Sequence, residues 1–392
     1  MRGRLVFFLI SLACLLPIAT GSLSGAPTKG DKREDSLYKQ LSVFTEVLTL
    51  IGRAYVEETS VEELLAGAMD GATDALDPFS TYIPKEAVEE YLKLGGAGID
   101  RSGLTVIKQR GIALVAAVDP AGPGSSAGIL RGDVLTEIDG QTTRGLPLWS
   151  IQNTLANTPG TEVIVKVHRP GGAQNVTIML DDFAVAIPTL VQRKEAAVMS
   201  VGRFVTGADQ DVGDLLGALR TEGEDRLIID LRGHAGGGYE IAYEIARHFV
   251  NGDLGDLQER GKSVKHFATG DAPVWDGKLV VLVDRGSIGA SEVLATVLRQ
   301  GAGAQLVGER TFGYAGRLSL LPLDDGSRLL ATDGFYTGPD GKPIDVGIVP
   351  DVLVSQSGDR FAEPEVPVDD PILDRALELI QADEGASEKK AA

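Results

Sequence analysis

The sequence has little cysteine, few aromatic residues and no long apolar run, and each shortage narrows the class of protein. Its single cysteine, Cys14, cannot form an intramolecular disulfide, so the fold must be held together by hydrophobic cores. Aromatic residues make up 5% of the 392 residues, whereas 43% are hydrophobic and 24% are charged, as in globular chains. This length exceeds one ordinary core and predicts two or three domains.

Basic residues are also scarce relative to acidic residues. There are 37 Lys and Arg against 56 Asp and Glu, which gives a net charge of -19. Such a charge repels phosphate backbones and anionic lipid head groups, so we expect no nucleic-acid partner. His168, His248 and His266 lack the spacing of metal ligands, and the sequence predicts no metal and no cofactor.

The apolar run near the N-terminus is too short to span a membrane. It covers residues 5–18, which is 14 residues against the roughly 20 that a spanning helix needs. Arg2 and Arg4 precede it and small residues ending in Gly21 follow it, as in a secretory signal. We therefore expect residues 1–21 to be a signal peptide that directs export to a bacterial periplasm or another extracytoplasmic site. The alternative is an uncleaved signal sequence, which would then be the only membrane contact.

A polar linker, residues 22–35, precedes an amphipathic pattern. Apolar residues from Leu37 to Tyr55 recur at spacings of four and three, which predicts that they share one helix face. Two interpretations of this face stay open: packing in a small helical bundle on the rest of the chain, or dimerisation, since a regular apolar seam resembles half of a coiled coil. A homodimer is the predicted assembly.

A second helix is predicted to follow the first. Ser60 and Glu63 have the spacing of a capping box, which marks a helix start. The Asp77-Pro78 step ends the helix, because proline cannot continue it and favours an extended conformation in its predecessor. We assign residues 36–94 to an N-terminal helical region.

Beyond residue 94 the pattern changes to short strands separated by glycine and proline. Residues 128–140, GILRGDVLTEIDG, closely resemble the signature of PDZ domains in bacterial proteases. A module of this type binds an extended peptide as an added strand, while backbone N–H groups hold its terminal carboxylate. The resemblance implies a PDZ domain over residues 95–182. Its carboxylate-binding loop would consist of Gly95, Gly96, Ala97, Gly98 and Ile99. The predicted strands are 104–107, 112–118, 134–138, 163–167 and 176–180, and the predicted helices are 125–130 and 147–156.

The next part of the chain, residues 183–380, alternates strands with helices and predicts one α/β core. A strand over 227–231 precedes a glycine-rich turn and a helix over 239–250. The turn lacks the lysine and the spacing of a nucleotide-binding loop. The fold class is therefore multidomain α/β: a helical region, a β-rich PDZ domain with two helices and an α/β core, followed by a polar tail, 381–392.

The segment VLVDRGSIGASE, residues 281–292, resembles the nucleophile strand, turn and helix of the C-terminal processing peptidases, also called tail-specific proteases. In that family the catalytic serine matches Gly289. The lysine that acts as general base lies 25 residues further on, and 314 − 289 = 25 places Tyr314 there. The glutamine that orients the lysine matches Leu318. The resemblance extends over nearly all of residues 36–380 and implies that the α/β core is peptidase-like.

The resemblance also implies which backbone groups form the oxyanion hole. One N–H donor matches Gly236 or Gly237 in the glycine-rich turn, and the other matches Ala290, which follows the nucleophile position. Backbone donors survive any change of side chain. The sequence thus keeps the family's motifs, their spacing and its backbone donors, whereas the three reactive side chains are replaced.

The replacements predict loss of hydrolysis. Gly289 has no attacking atom, and Tyr314, with an ordinary pKa of about 10, is a poor base at neutral pH. Leu318 cannot orient a base through its side chain. Loss of one member of a comparable catalytic unit lowers the rate by a factor on the order of 10⁶.

The alternative to loss of hydrolysis is that neighbouring side chains supply a relocated nucleophile and a relocated general base. Ser287 and Ser291 flank Gly289, and His234 lies in the glycine-rich turn. Their structural interpretations are a helix N-cap for Ser287, a first-turn hydroxyl for Ser291 and a loop imidazole bonded to backbone for His234.

Three functions follow from these observations. The first is an exported, inactive relative that binds C-terminal peptide segments of exported proteins or an envelope partner through its PDZ domain, with an active relative as a further partner. The second is a serine-type endopeptidase that cleaves near C-termini with displaced residues. The third is a scaffold assembled through the helical arm.

Overall fold

The computed structural model describes residues 31–94, 101–355 and 370–382, with only the backbone for 31–35. The described part of the chain divides into two compact units, with the boundary after Gly67. Helix α1, Asp31–Ala54, begins inside the segment predicted as a linker, so the linker expectation is wrong for residues 31–35. In the first unit α1 presents apolar side chains to solvent, among them Leu37, Leu41 and Val47.

Helix α2, Val61–Asp74, begins where the capping pattern predicts. The Ser60 hydroxyl oxygen accepts the backbone N–H of Glu63 at 3.3 Å, which satisfies one of the free donors at the helix start. The helix ends before the Asp77-Pro78 step, as predicted. The short strand β1, Thr81–Ile83, and helix α3, Lys85–Lys93, follow in the second unit.

An antiparallel sheet occupies the segment predicted as a PDZ domain. Its strands pair in the order β2-β3-β4-β6-β7, with β5 beside β4, so β2 lies at one edge. Inward-facing side chains such as Val115, Val165 and Ile178 are fully buried and form its core. The elements are β2 Leu104–Gln109, β3 Ile112–Val118, α4 Pro123–Ser126, β4 Val134–Ile138, β5 Gln141–Thr142, α5 Leu148–Leu155, β6 Glu162–Arg169 and β7 Gly172–Met179.

The first PDZ helix lies earlier than predicted. The sequence predicted a helix over 125–130, whereas α4 begins at Pro123 and ends at Ser126. Proline is favoured at the first helical position because its fixed φ already suits a helix. Gly128, with a φ of 83°, then turns the chain away.

A mostly parallel sheet forms the centre of the core, in the order β17-β14-β13-β10-β9-β8. Neighbouring strands β9, β10, β13, β14 and β17 run parallel, whereas the edge strand β8 is antiparallel to β9. The elements are β8 Thr189–Gln192, β9 Ala197–Ser200, α6 Ala208–Glu222, β10 Arg226–Asp230, α7 Tyr239–Ala246, β13 Lys278–Val283, α8 Ala290–Gly301, β14 Gln305–Gly308, β17 Val352–Leu353 and α9 Pro371–Ala382.

A second core sheet packs beside the parallel one, in the order β1-β16-β11-β12 with β15 paired to β16. Its strands are antiparallel. The remaining elements are β11 Gly252–Glu259, β12 Lys262–Thr269, β15 Gly316–Pro322 and β16 Arg328–Tyr336.

Helix α7 is shorter than predicted. The sequence predicted a helix over 239–250, whereas α7 ends at Ala246. The following turn tightens, because His248 N–H and Phe249 N–H donate to the carbonyls three residues earlier, Ile245 and Ala246. The His248 carbonyl then accepts the N–H of Trp275 at 2.9 Å.

The PDZ sheet packs directly on the core. Ile107 and Ala117 of the PDZ sheet share a buried cluster with Ile288 and Tyr314 of the core. An ion pair reinforces this contact: Arg131 Nη1 lies 2.5 Å from Asp284 Oδ2. The PDZ sheet therefore stands over the turn that carries Gly289.

Candidate functional site

Three loops meet at the carboxyl edge of the parallel strands β10, β13 and β14. Because β10 and β13 are neighbours, the glycine-rich turn after β10 lies beside the turn after β13, and the N–H of Ile288 donates to His234 O at 3.0 Å. The loop after β14 lies on the other side, where the N–H of Phe312 donates to Ser287 O at 3.3 Å. Crevices at the carboxyl ends of such sheets are usual binding sites.

Gly289 ends the turn after β13 and caps helix α8. Its φ of 71° is one that side-chain-bearing residues rarely adopt. A Cβ at this position would lie 3.2 Å from the Tyr239 hydroxyl and 3.3 Å from its Cε1. That hydroxyl donates to Gly316 O at 2.9 Å, and the ring stacks on Tyr336 at a centroid distance of 4.4 Å. A fixed phenol thus stands against the family's nucleophile position.

Tyr314, at the family's base position, is 6% exposed. Its hydroxyl lies 2.5 Å from Thr332 Oγ1, and Thr332 donates to Asp77 Oδ2 at 2.8 Å. The ring stacks on Phe79 at a centroid distance of 4.3 Å. Burial raises the pKa of the Tyr314 phenol above its ordinary value, and the bond to Thr332 offsets part of the rise. The phenol therefore stays neutral and is tied into structure. Leu318 packs against the same cluster.

Glu292 is a site residue that sequence reasoning missed. Its buried carboxylate accepts the N–H of Gly289 at 3.1 Å, of Gly313 at 2.6 Å and of Tyr314 at 2.9 Å, and it also accepts the hydroxyl of Thr311. Burial raises its pKa, and these four bonds oppose the rise. The Glu292 carboxylate thereby holds the turn after β13 and the loop after β14 in fixed positions relative to each other. The spacing of Gly289 and Glu292, with an acid at the third helical position, was the available signal. Tyr239 had no comparable signal.

The matched oxyanion residues lie where these loops meet. Gly236 and Gly237 have φ values of 78° and 87°. A Cβ on Gly237 would lie 2.7 Å from Phe204 Cβ, so only glycine fits there without a shift. Ala290 is the first residue of α8 and is fully buried. The structure therefore places Gly236 and Gly237 on the groove wall.

The hydroxyls of Ser287 and Ser291 are both directed into the protein. Ser287 is fully buried; its Oγ donates to Leu231 O at 2.8 Å and accepts the N–H of Asp284 at 3.0 Å. The N-cap interpretation of Ser287 is wrong, because Gly289 is the N-cap of α8. Ser291, also fully buried, is a first-turn residue and donates to His234 O at 2.9 Å.

The His234 ring contacts backbone, as its structural interpretation expects. Nδ1 lies 2.8 Å from Arg232 O, and Nε2 lies 3.5 Å from Ser200 Oγ. These contacts occupy both ring nitrogens away from Ser287 and Ser291.

A groove of about 850 Å³ joins these features. On the PDZ side it is lined by β2 and α5, including Leu104, Val106 and Leu155. On the core side its lining residues include Gly237, Tyr239, Gly289, Tyr314 and Leu318. The edge of the PDZ sheet and the family's catalytic positions therefore share one continuous space.

Several sequence expectations have no structural counterpart here. The loop Gly95, Gly96, Ala97, Gly98 and Ile99 lies outside the described residues, as does the signal segment 1–21. Of the predicted tail, 381–392, the first two residues belong to α9 and residues 383–392 lie outside the described residues. Among the residues that the structure describes, no three His, Cys, Asp or Glu side chains are grouped for a metal ion. No helix within the described ranges has the length and apolar character needed to cross a membrane.

Comparison with known families agrees with this arrangement. Residues 195–354 match the model of peptidase family S41, residues 114–169 match that of a PDZ domain, and residues 19–87 match the N-terminal domain of the activating protease CtpB. The chain belongs to peptidase family S41 and combines the peptidase core with a PDZ domain and a CtpB-type N-terminal region.

Its relatives are C-terminal processing proteases. The chain is 26% identical over 357 residues to carboxy-terminal processing protease CtpB of Bacillus subtilis, covering 88% of this chain and 74% of the relative. It is 26% identical over 341 residues to the carboxy-terminal-processing protease of Bartonella bacilliformis, covering 82% and 77%. The chloroplastic C-terminal processing peptidase of Tetradesmus obliquus is 30% identical over 302 residues, covering 70% and 64%.

A solved structure shares the fold. The photosystem II D1 C-terminal processing protease superposes with a TM-score of 0.66 at 24% identity, covering 86% of this chain and 96% of that one. The likeness supports the multidomain α/β architecture predicted from sequence.

Proposed function

We propose that this S41 family member is a pseudoprotease, an exported protein that binds the C-terminal tails of other exported proteins without cleaving them. The observation that carries the proposal is the continuous groove between β2 and Gly289. A tail added to the β2 edge would run towards the family's catalytic positions and would meet a glycine, a buried phenol and a leucine there.

The contacts of the replaced positions support the absence of hydrolysis. Tyr239 stands against Gly289, and Tyr314 is held by Thr332 and Phe79. A phenol whose pKa is raised by burial is neutral near pH 7 and cannot accept the proton of an attacking group. The hydroxyls of Ser287 and Ser291 are held by backbone carbonyls. A displaced nucleophile would have to break those bonds first.

The test uses one labelled peptide and two measurements. The chain without residues 1–21 is incubated with a fluorescent peptide that ends in an apolar tail, and binding is followed by anisotropy. The same peptide with an amidated C-terminus is the matched control. We expect saturable binding of the free-acid peptide and at least a tenfold weaker binding of the amide, because a carboxylate makes charge-assisted hydrogen bonds that an amide lacks. Equal binding of the two peptides would argue against tail recognition.

Export and assembly belong to the same proposal. Residues 1–21 have the pattern of a secretory signal, and the exposed apolar face of α1 supports a homodimer. Fractionation of cells that express the tagged full chain, and the molar mass of the purified protein by light scattering, test these two expectations.

A further inference from the structure

The PDZ sheet has a second edge strand, β7, at the opposite end of the strand order from β2. β7, Gly172–Met179, has eight residues, GAQNVTIM, with no charge and no proline. Its pairing with β6 runs without a bulge over the whole strand. Natural edge strands are usually protected from pairing with another chain by charges, proline, bulges or short length. β7 has none of these protections.

The other edge strands that the structure describes are each protected. β1, β5, β8 and β17 are at most four residues long. β12 carries Lys262 and Lys265, β15 carries Arg317 and Pro322, and β2 carries Lys108. The contrast indicates that β7 is an edge kept available for pairing.

The outer side of β7 presents free backbone groups. Leu180 N–H donates to Thr161 O, just before β6, at 2.8 Å, so the even-numbered residues direct their backbone groups towards β6. Because this direction alternates along an antiparallel strand, the N–H and C=O groups of Ala173, Asn175 and Thr177 point away from β6. Within the described part of the chain these groups have no backbone partner. The three side chains are exposed as well.

The open part of this edge is centred on Asn175. Further along, the edge is already used, since Asp181 N–H donates to Arg101 O at 3.3 Å. A second copy of the chain, related by a twofold axis perpendicular to the sheet, would place its Asn175 opposite Asn175 and its Thr177 opposite Ala173. Facing residues then lie on the same side of the sheet and exchange backbone hydrogen bonds.

Charge favours a second copy as the occupant. The chain has a net charge of -19, so most surfaces of two copies repel each other, whereas β7 carries no charge. Met179, on the same face as Thr177 and 53% exposed, adds apolar surface beside this edge. A second copy also supplies an unprotected edge of matching length, and pairing closes both edges at once.

We propose that β7 is an interface between two copies of this chain, in which the two strands pair antiparallel and join the two PDZ sheets into one. The interface uses different residues from the apolar face of α1. It also leaves the β2 edge free, so it does not depend on tail binding.

The first test compares molar masses by light scattering in the chain without residues 1–21. Small interfaces are weak, so the samples are at about 0.1 mM, where complexes with micromolar dissociation constants form. Asn175→Lys places like charges directly opposite each other, which destabilises the strand pair. Its molar mass should be at most half that of wild type, whether or not α1 also dimerises. Asn251→Lys, the same change at an exposed asparagine before β11, should keep the wild-type mass.

The second test uses the absence of cysteine after residue 21, since Cys14 is the only cysteine in the sequence. Asn175→Cys places a single thiol opposite its copy, and a short bismaleimide should link two such chains. Asn251→Cys is the matched control and should stay unlinked. Equal molar masses of wild type and Asn175→Lys, with circular dichroism showing both folded, overturn the proposal. A yield of linked Asn175→Cys no higher than that of Asn251→Cys also overturns it.

Discussion

The Tyr239 hydroxyl lies 3.2 Å from the point where a Cβ on Gly289 would stand. The same hydroxyl is bonded to Gly316 O at 2.9 Å, so it is not free to swing away without losing that bond. The backbone conformation at position 289 therefore favours glycine, and Tyr239 leaves little space there for a side chain. A serine at this position would meet two costs, backbone strain and steric contact, before it could react.

Gly289→Ser should lower stability and should not produce peptide cleavage. We expect a loss of about 1–3 kcal/mol, because a non-glycine residue at positive φ is strained and Tyr239 must also move. Urea unfolding followed by circular dichroism measures the loss, and mass spectrometry of an added peptide measures cleavage. Gly160→Ser separates the two costs, since Gly160 also has a positive φ, 83°, but has open space around it. A smaller loss in Gly289→Ser than in Gly160→Ser would contradict the crowding by Tyr239.

Tyr314→Phe should remove the hydroxyl bond and keep the aromatic stack on Phe79. We expect a loss of about 1 kcal/mol from the bond to Thr332. Thr332→Val and the double variant complete a thermodynamic cycle, in which the two changes should be non-additive by a similar amount. Additive losses would mean that the 2.5 Å contact between the two hydroxyls contributes nothing to stability.

Arg131→Met should destabilise the contact between the PDZ sheet and the core. The Asp284 side chain is 9% exposed and would keep a poorly solvated charge, although N–H groups of Gly233 and Gly286 still bond it. We expect a loss of about 2–3 kcal/mol, less than for a buried ion pair without other donors.

The control for Arg131→Met is Lys166→Met, which breaks an exposed ion pair. The Lys166 and Glu137 side chains are 38% and 35% exposed, and loss of their pair should cost under about 1 kcal/mol. Equal losses would show that burial of the Arg131 pair is unimportant.

Asp370 should make stability depend on acid pH. Burial opposes its ionisation, but bonds from Arg232 and from the Leu373 N–H outweigh burial and hold its pKa below the ordinary value of 3.8. A lowered pKa in the folded state means that the contribution is present above pH 3.8 and is lost as the pH falls through the folded pKa.

Asp370→Asn tests whether the contribution of Asp370 to stability is lost, and not gained, as the pH falls. At pH 7 the variant should be less stable than wild type by about 1–2 kcal/mol, because the bonds between Asp370 and Arg232 are charge-assisted. The difference should shrink as the pH drops below the ordinary value. Asp374→Asn, an exposed change in the first turn of α9, directly after Asp370, should show neither effect. A difference that grows on acidification would contradict the lowered pKa.

Sequence patterns located most of the PDZ strands because those strands are short, β-branched runs between glycines. Strands β3 and β4 have the predicted bounds, Ile112–Val118 and Val134–Ile138. The predicted end of α7 was wrong because the chain tightens after Ala246, where the N–H groups of His248 and Phe249 donate to carbonyls three residues earlier. The apolar pattern of this segment does not distinguish such a tightened turn from a continuing helix.

The same limit applies to the site. Spacing placed Gly289, Tyr314 and Leu318 around one groove, since the family frame fixes the loops that carry them. It could not show that Ser287 bonds to Leu231, 56 residues away, or that Tyr239 stands against Gly289. These facts depend on how strands β10 and β13 and helix α7 pack. The sequence therefore located the site but not the contacts that occupy it.

The most direct measurement is a mass-spectrometric time course of a tail peptide incubated with the purified chain under conditions where anisotropy shows it bound. The account predicts that the peptide is recovered intact at full occupancy, and that Ser287→Ala and Ser291→Ala bind and leave it intact as wild type does. Cleavage products that form with wild type and disappear in either serine variant would contradict the account and establish a displaced serine nucleophile.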